Sequence, residues 1–186
     1  MWVAAFSALV LACAWMLVAG SASAGARASS CSGTGLRPNA ANVRTVDTAV
    51  LCLIDRIRAA HGLRPLRTNR ELRGVAASQV IAMVHRDYFA DVRPSGQTPM
   101  ALVGGTRYPA HTEDIAVGQN IAWGSGRDAT PGHIVAEWMA SPPHRAIILT
   151  GEYRDAGVAV TPALPSVLRA GKLGALYAVE FGMRRY

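Results

Sequence analysis

The chain has 186 residues, a formal net charge of +7 and a sequence pI near 10.0, with 51% hydrophobic and 17% charged residues. That apolar fraction excludes a disordered polyelectrolyte, and the length suits one domain around one core. The charge raises the question of nucleic acid, but the arginines are scattered from Arg27 to Arg185 and no nucleic-acid-binding motif is present. Nucleic acid is therefore not an expected partner; a basic exported chain meets anionic wall polymer or membrane surface instead.

Residues 2–20, "WVAAFSALVLACAWMLVAG", carry no charge, and Ala22-Ser23-Ala24 supplies a small-residue cleavage site. Residues 1–24 are therefore expected to be a secretory signal peptide. No Lys or Arg precedes the run and it is nearly long enough to span a bilayer, so an uncleaved N-terminal anchor facing outward is the alternative. Lipidation at Cys13 is a third option, with a poor lipobox in "VLA". Cleavage leaves about 160 residues, enough for one core, and a protein that is not integral to the membrane. It also leaves Cys31 and Cys52 as the cysteines of the exported chain. In an oxidising compartment the two most simply form a disulfide; two free thiols are the alternative. The bridge closes a loop of about 20 residues, worth on the order of 3 kcal/mol.

Residues 25–44 form an irregular lead-in, and the domain proper is placed at 45–186. Val46, Val50, Leu53, Ile57 and Ala60 recur at helical spacing up to His61, with Gly62 in the capping position. Pro65 keeps "LRPLR" out of helix. Asn69 caps a second helix from Arg70 to about Arg86. Thr98-Pro99 opens a short third helix fading at Gly104-Gly105, and Thr130-Pro131 opens a fourth running through Met139. "DIAVGQNIAWGSG" between them reads as strand and loop. Pro142 and Pro143 end the fourth helix, Ser141 is placed to cap the next, and "HRAIIL" begins another short turn. "AGVAVTP" and "LGALYAVEFGMRR" read as strands joined by a loop containing Pro162 and Pro165. Helices followed by late strands imply an α+β layered domain.

At about 100° per residue, Leu72, Val75, Ala76, Val80 and Met83 share one arc of the second helix and should face the core. His85 lies roughly 160° from that arc's centre, so it faces solvent or a cleft. His144 sits at a proline joint anchored by Trp138, Ile147, Ile148 and Leu149, which suits a polar side chain held in fixed orientation. The alternative for His85 is an exposed helix-end histidine beside the local carbonyl dipole, and for His144 a structural histidine satisfied by a loop carbonyl. His133 and Glu137, spaced i, i+4, read as a solvated helical pair. No H-E-x-x-H, G-x-S-x-G or phosphate loop is present.

"AMVHRDYFA" at 82–90, "GQNIA" at 118–122, "WMASPPHRAIIL" at 138–149 and "YRDAGVAV" at 153–160 occur in an order that resembles the bacterial branch of the CAP superfamily, which includes cysteine-rich secretory and plant pathogenesis-related proteins. The resemblance runs from about Val46 to Met183. It implies a three-layer α-β-α sandwich with a cleft holding two histidines and acidic partners. At the matching positions stand His85 and His144, which the resemblance makes candidate ligands of a divalent metal such as zinc. Asn120 and Ser141 belong to the same motifs and join the expected cleft. Three departures matter: Gln119 stands where the family has Glu, Arg86 where it has Ser, and Phe89-Ala90-Asp91 replaces Phe-Ser-His. Asp91 is the residue able to return a carboxylate to the cleft.

Relatives are linked to lipid or sterol binding and to protein interaction. The resemblance therefore implies an exported, non-catalytic module binding a lipophilic ligand or a cell-envelope component. Loss of the carboxylate at 119 favours that reading, since a neutral amide is no general base. A metal-assisted hydrolase using His85 and His144, with Asp91 as base, is one alternative. A basic wall-associated structural protein is the other.

Overall fold

The structure, a computed structural model, describes residues 30–169 and 173–186. The expected signal peptide or anchor, with Cys13, lies outside the described residues. An irregular arm from residue 30 is tied by the Cys31–Cys52 disulfide to α1 (Val43–Ala60), so the two cysteines are paired as expected. The backbone amide of Gly132 donates to the Thr34 carbonyl at 2.9 Å, laying the arm against the start of a later helix.

Helix α1 ends at His61, and Gly62 follows at φ +70°, the left-handed conformation a glycine adopts without penalty. Next come β1 (Arg67–Thr68), α2 (Arg70–His85), α3 (Pro99–Gly104) and β2 (Asp114–Ser125). A 3₁₀ turn at Gly126–Ala129 leads to α4 (Pro131–Ala140) and α5 (Pro142–Ile148). The chain closes with β3 (Asp155–Thr161), the one-turn α6 (Ser166–Arg169) and β4 (Gly174–Arg185). Asn69 caps α2 by accepting from the amides of Glu71 and Leu72, and Thr98 caps α3 through the Ala101 amide. Thr130 and Ser141 occupy the equivalent positions of α4 and α5 but make no side-chain cap; the prolines that follow start those helices. Thr130 instead donates its hydroxyl to the Arg127 carbonyl.

The four strands run in the order β1-β3-β4-β2. β1 is parallel to β3, and the other pairs are antiparallel. Of "DIAVGQNIAWGSG", expected as strand and loop, the twelve residues Asp114–Ser125 are strand and pair with β4 without a bulge, and Gly126 opens the 3₁₀ turn. Strand alternation then sorts the core by face. Tyr177, Val179 and Phe181 of β4 pack with Val50, Ile54, Ile134, Trp138 and Ile148 of α1, α4 and α5. Leu176 and Ala178 face the other way, onto Ala76, Val80 and Met83 of α2. Helices cover both faces of the sheet, which is the three-layer α-β-α sandwich. The arc expected to face the core of α2, from Leu72 to Met83, is buried throughout. A Cβ on Gly157 of β3 would collide with the backbone of Arg73, so glycine there lets the first turn of α2 rest directly on the sheet.

Candidate cleft site

The site forms where β2, the outer strand, meets α5 on one side and the loop after α2 on the other. Gln119 and Glu180 are cross-strand partners on β2 and β4, and both side chains lie on the α2 face. The Gln119 amide nitrogen donates to Glu180 Oε1. Glu180 is fully buried, and burial pushes its carboxyl up to about 7; the Gln119 hydrogen bond and the Arg93 charge oppose that shift, while the charge of Asp91 adds to it. Glu180 Oε2 and Gln119 Oε1 are buried without a hydrogen-bond partner among the described residues.

Asp91 belongs to this group. Desolvation raises its carboxyl, and the charge of His144 opposes the rise. The loop carrying Asp91 is held by Gln79, a buried α2 residue that donates to the carbonyls of Ala90 at 2.9 Å and Asp91 at 3.3 Å. Arg93 Nε donates to Gln79 Oε1 at 3.0 Å, and its Nη2 donates to Ser78 Oγ at 2.8 Å. His144 stands on α5, whose position is set from the opposite face of β2: Asn120 Nδ2 donates to the His144 carbonyl at 3.1 Å. The proline break thus delivers His144 to the open edge of β2, while Trp138, on the preceding helix, donates its indole N–H to the Ile121 carbonyl.

The expected site residues therefore divide. His144, Asp91 and Gln119 share one electrostatic neighbourhood with Glu180. Asn120 is fully buried and points to the other face of the sheet, where it holds α5. Ser141 is a half-buried helix-start residue. His85 ends α2, exposed, with no side-chain hydrogen bond among the described residues. His133 and Glu137 lie 3.1 Å apart on the exposed face of α4, as a solvated pair should. Glu180, Gln79 and Arg93 escaped sequence reasoning. The signal for the first was available, because a lone carboxylate between Val179 and Phe181 in an apolar strand demands a partner.

Among the described residues, no group of three or more His, Cys, Asp or Glu side chains converges to hold a metal ion. At position 119, where the resemblance implies a carboxylate, stands an amide already engaged with Glu180. Among the described residues, then, the protein does not bring three such ligands to one divalent ion.

The comparisons with known proteins agree with this architecture. The profile of the CAP family, the cysteine-rich secretory protein family, matches residues 51–163. The chain belongs to that family. A solved structure of an outer surface protein from Borrelia burgdorferi superposes with a TM-score of 0.62 at 17% identity, covering 81% of this chain and 99% of that one. An extracellular protein containing an SCP domain from Bacillus anthracis superposes with a TM-score of 0.59 at 19% identity, covering 81% of this chain and 45% of that one. The uncharacterized protein YkwD of Bacillus subtilis (strain 168) is 29% identical over 119 residues. That alignment takes in 63% of this chain but only 43% of YkwD, so the shared region spans less than half of that relative.

Proposed function

We propose that this chain is an exported CAP module that binds an amphiphilic, lipophilic-bodied ligand or cell-envelope component and does not turn it over. The proposed cleft comprises His144, Asp91, Gln119 and Glu180, with Asn120 and Ser141 supporting the α5 wall. The observation that carries the reading is a gradient along one face of β2. Gln119, Ile121 and Trp123 alternate onto the α2 side of the strand. Gln119 is engaged with a buried carboxyl, Ile121 is core, and Trp123 is 39% exposed. A molecule with a hydrogen-bonding head near Gln119 and an apolar body over Trp123 matches the two ends of that order, with Ile121 packed against α2 between them. Export is supported by the Cys31–Cys52 disulfide and by relatives named as outer surface and extracellular proteins. No helix among the described residues is long and apolar enough to cross a membrane.

Native mass spectrometry of protein purified from culture supernatant tests the reading. A retained amphiphile that disappears in Trp123→Glu supports it. A stoichiometric metal lost in His144→Ala, together with ester or peptide turnover, would replace it with the hydrolase alternative. Adduct-free protein whose envelope attachment collapses with salt and ignores both substitutions would leave the wall-associated structural alternative.

A further inference from the structure

The arginines that look scattered in the chain are partly gathered by the fold. Two adjoining hollows run between α2 and the segment from α3 to Arg107, with volumes of about 360 and 650 Å³. They share Arg70, Glu71 and Thr106; Arg93 lines the first and Arg107 the second. Three arginines and one glutamate thus line the pair of hollows. Arg93 is braced by its bonds to Gln79 and Ser78, so its position is set in advance. Arg70 and Arg107 make no side-chain hydrogen bond or ion pair among the described residues, and Glu71 forms no ion pair with either.

A second, independent feature lies in the same wall. Gly74 sits in the interior of the sixteen-residue α2 and lines the first hollow. Glycine inside a helix is among the least favourable choices, and its usual reason is close approach of another part of the fold. Here that reason is missing, because a Cβ built on Gly74 would meet nothing within 4 Å. The empty space is the groove itself. A bare stretch of helix flanked by forked cationic donors suits a chain of anionic groups lying along it, since guanidinium matches phosphate oxygens in pairs.

We propose that the α2–α3 groove binds a soluble linear polyanion carrying successive phosphate groups, one in each hollow, with Arg70 shared between them. This site is separate from the cleft apart from Arg93, and it does not depend on the cleft's ligand.

Calorimetric titration of the exported chain at low ionic strength, with inorganic tripolyphosphate and orthophosphate as probes, tests it. Tripolyphosphate should bind at least about tenfold more tightly than orthophosphate if successive phosphates occupy the two hollows together. The double substitution Arg70→Ala with Arg107→Ala should weaken tripolyphosphate binding by about tenfold or more, whereas Arg56→Ala with Arg64→Ala, which removes the same charge elsewhere, should not. Gly74→Leu should keep or raise Tm while reducing binding, which separates the site from the fold. Equal losses in the two double variants would reduce the effect to net charge and overturn the proposal. So would unaltered binding in Gly74→Leu, or attachment to phosphatidylglycerol vesicles without binding of tripolyphosphate.

Discussion

Gln119 on β2 and Glu180 on β4 face each other across the sheet, and the amide of the first donates to the carboxyl of the second. Relative to the family pattern, the carboxylate missing at position 119 has a counterpart one strand over, deeper and already hydrogen-bonded. The cleft therefore keeps an acidic group whose proton is retained to near neutral pH. Its tendency is to remain neutral when buried, which suits hydrogen bonding to a ligand head better than holding a cation.

That raised carboxyl makes stability pH-dependent. Glu180 titrates at about 7 when folded, against an ordinary value of 4.5. The folded chain holds the proton more tightly, so this contribution is full below the unfolded value, declines as pH rises, and is lost above the folded value. Its ceiling is on the order of 3 kcal/mol. Asp47, raised to about 6 by burial despite its ion pair with Arg73, acts in the same direction. The urea midpoint should fall between about pH 5 and about pH 8, and Glu180→Gln should flatten most of that fall. A wild-type slope in the Gln variant would mean Glu180 is ionised and paired in the folded chain.

Restoring the family carboxylate should be costly. Gln119→Glu sets a second acid against Glu180 with no amide donor between them, and both oxygens vie for one proton. A loss of about 1–3 kcal/mol at about pH 8 is expected, with little loss at about pH 5 where the pair shares a proton. Millimolar zinc or magnesium should recover part of the loss at the higher pH. Thermal melts at both pH values, with and without the ion, measure this directly. No recovery would mean His144 and Asp91 are too far from the pair to complete a cation site.

Arg58 holds the other end of the sandwich. It is fully buried near the end of α1 and donates to four carbonyls, those of Arg64, Ile148, Thr150 and Tyr153, at 2.7–3.1 Å. The fork ties α1 to the turn between α5 and β3. Arg58→Ala should cost about 3 kcal/mol or more, because several buried carbonyls lose their donors together. Arg58→Lys should recover little of it, since an ammonium lacks the planar fork. Denaturant midpoints of the two variants should nearly coincide.

The helices were legible where capping chemistry and periodicity agreed. Asn69 and Thr98 mark true caps, and the apolar arc of α2 is the buried one. β1 was not legible: two residues that add to β3 carry no alternation to detect, and their pairing depends on a partner almost ninety positions away. α6 was hidden between Pro162 and a segment of weak pattern. The cleft was half legible. The proline break that singles out His144 is visible in the sequence as the start of α5, whereas the partner of Glu180 needs the β2–β4 register. The motif that the resemblance rests on holds Gln119 and Asn120 together, but adjacent residues on a strand face opposite ways. The arginine groove was invisible for the same kind of reason, as Arg70, Arg93 and Arg107 meet only after α2 and α3 pack.

Asn120 offers the sharpest test of how the cleft is held. Its side chain reaches from the face opposite Gln119 to the backbone of His144, so it positions the α5 wall without lining the cleft. Asn120→Ala removes one buried hydrogen bond and should cost about 1 kcal/mol globally. Local effects should be larger in proportion, because α5 is a seven-residue helix with no side-chain cap and Ile148 as its buried anchor. Hydrogen exchange should therefore quicken more at the amides of residues 144–149 than at those of α2, which should quicken only by the global change. Asn120→Asp should do worse than alanine, since it sets a carboxylate against a carbonyl oxygen in a buried site. If exchange across α5 is unaltered in both variants, the helix is held by its apolar contacts and His144 owes its position to packing alone.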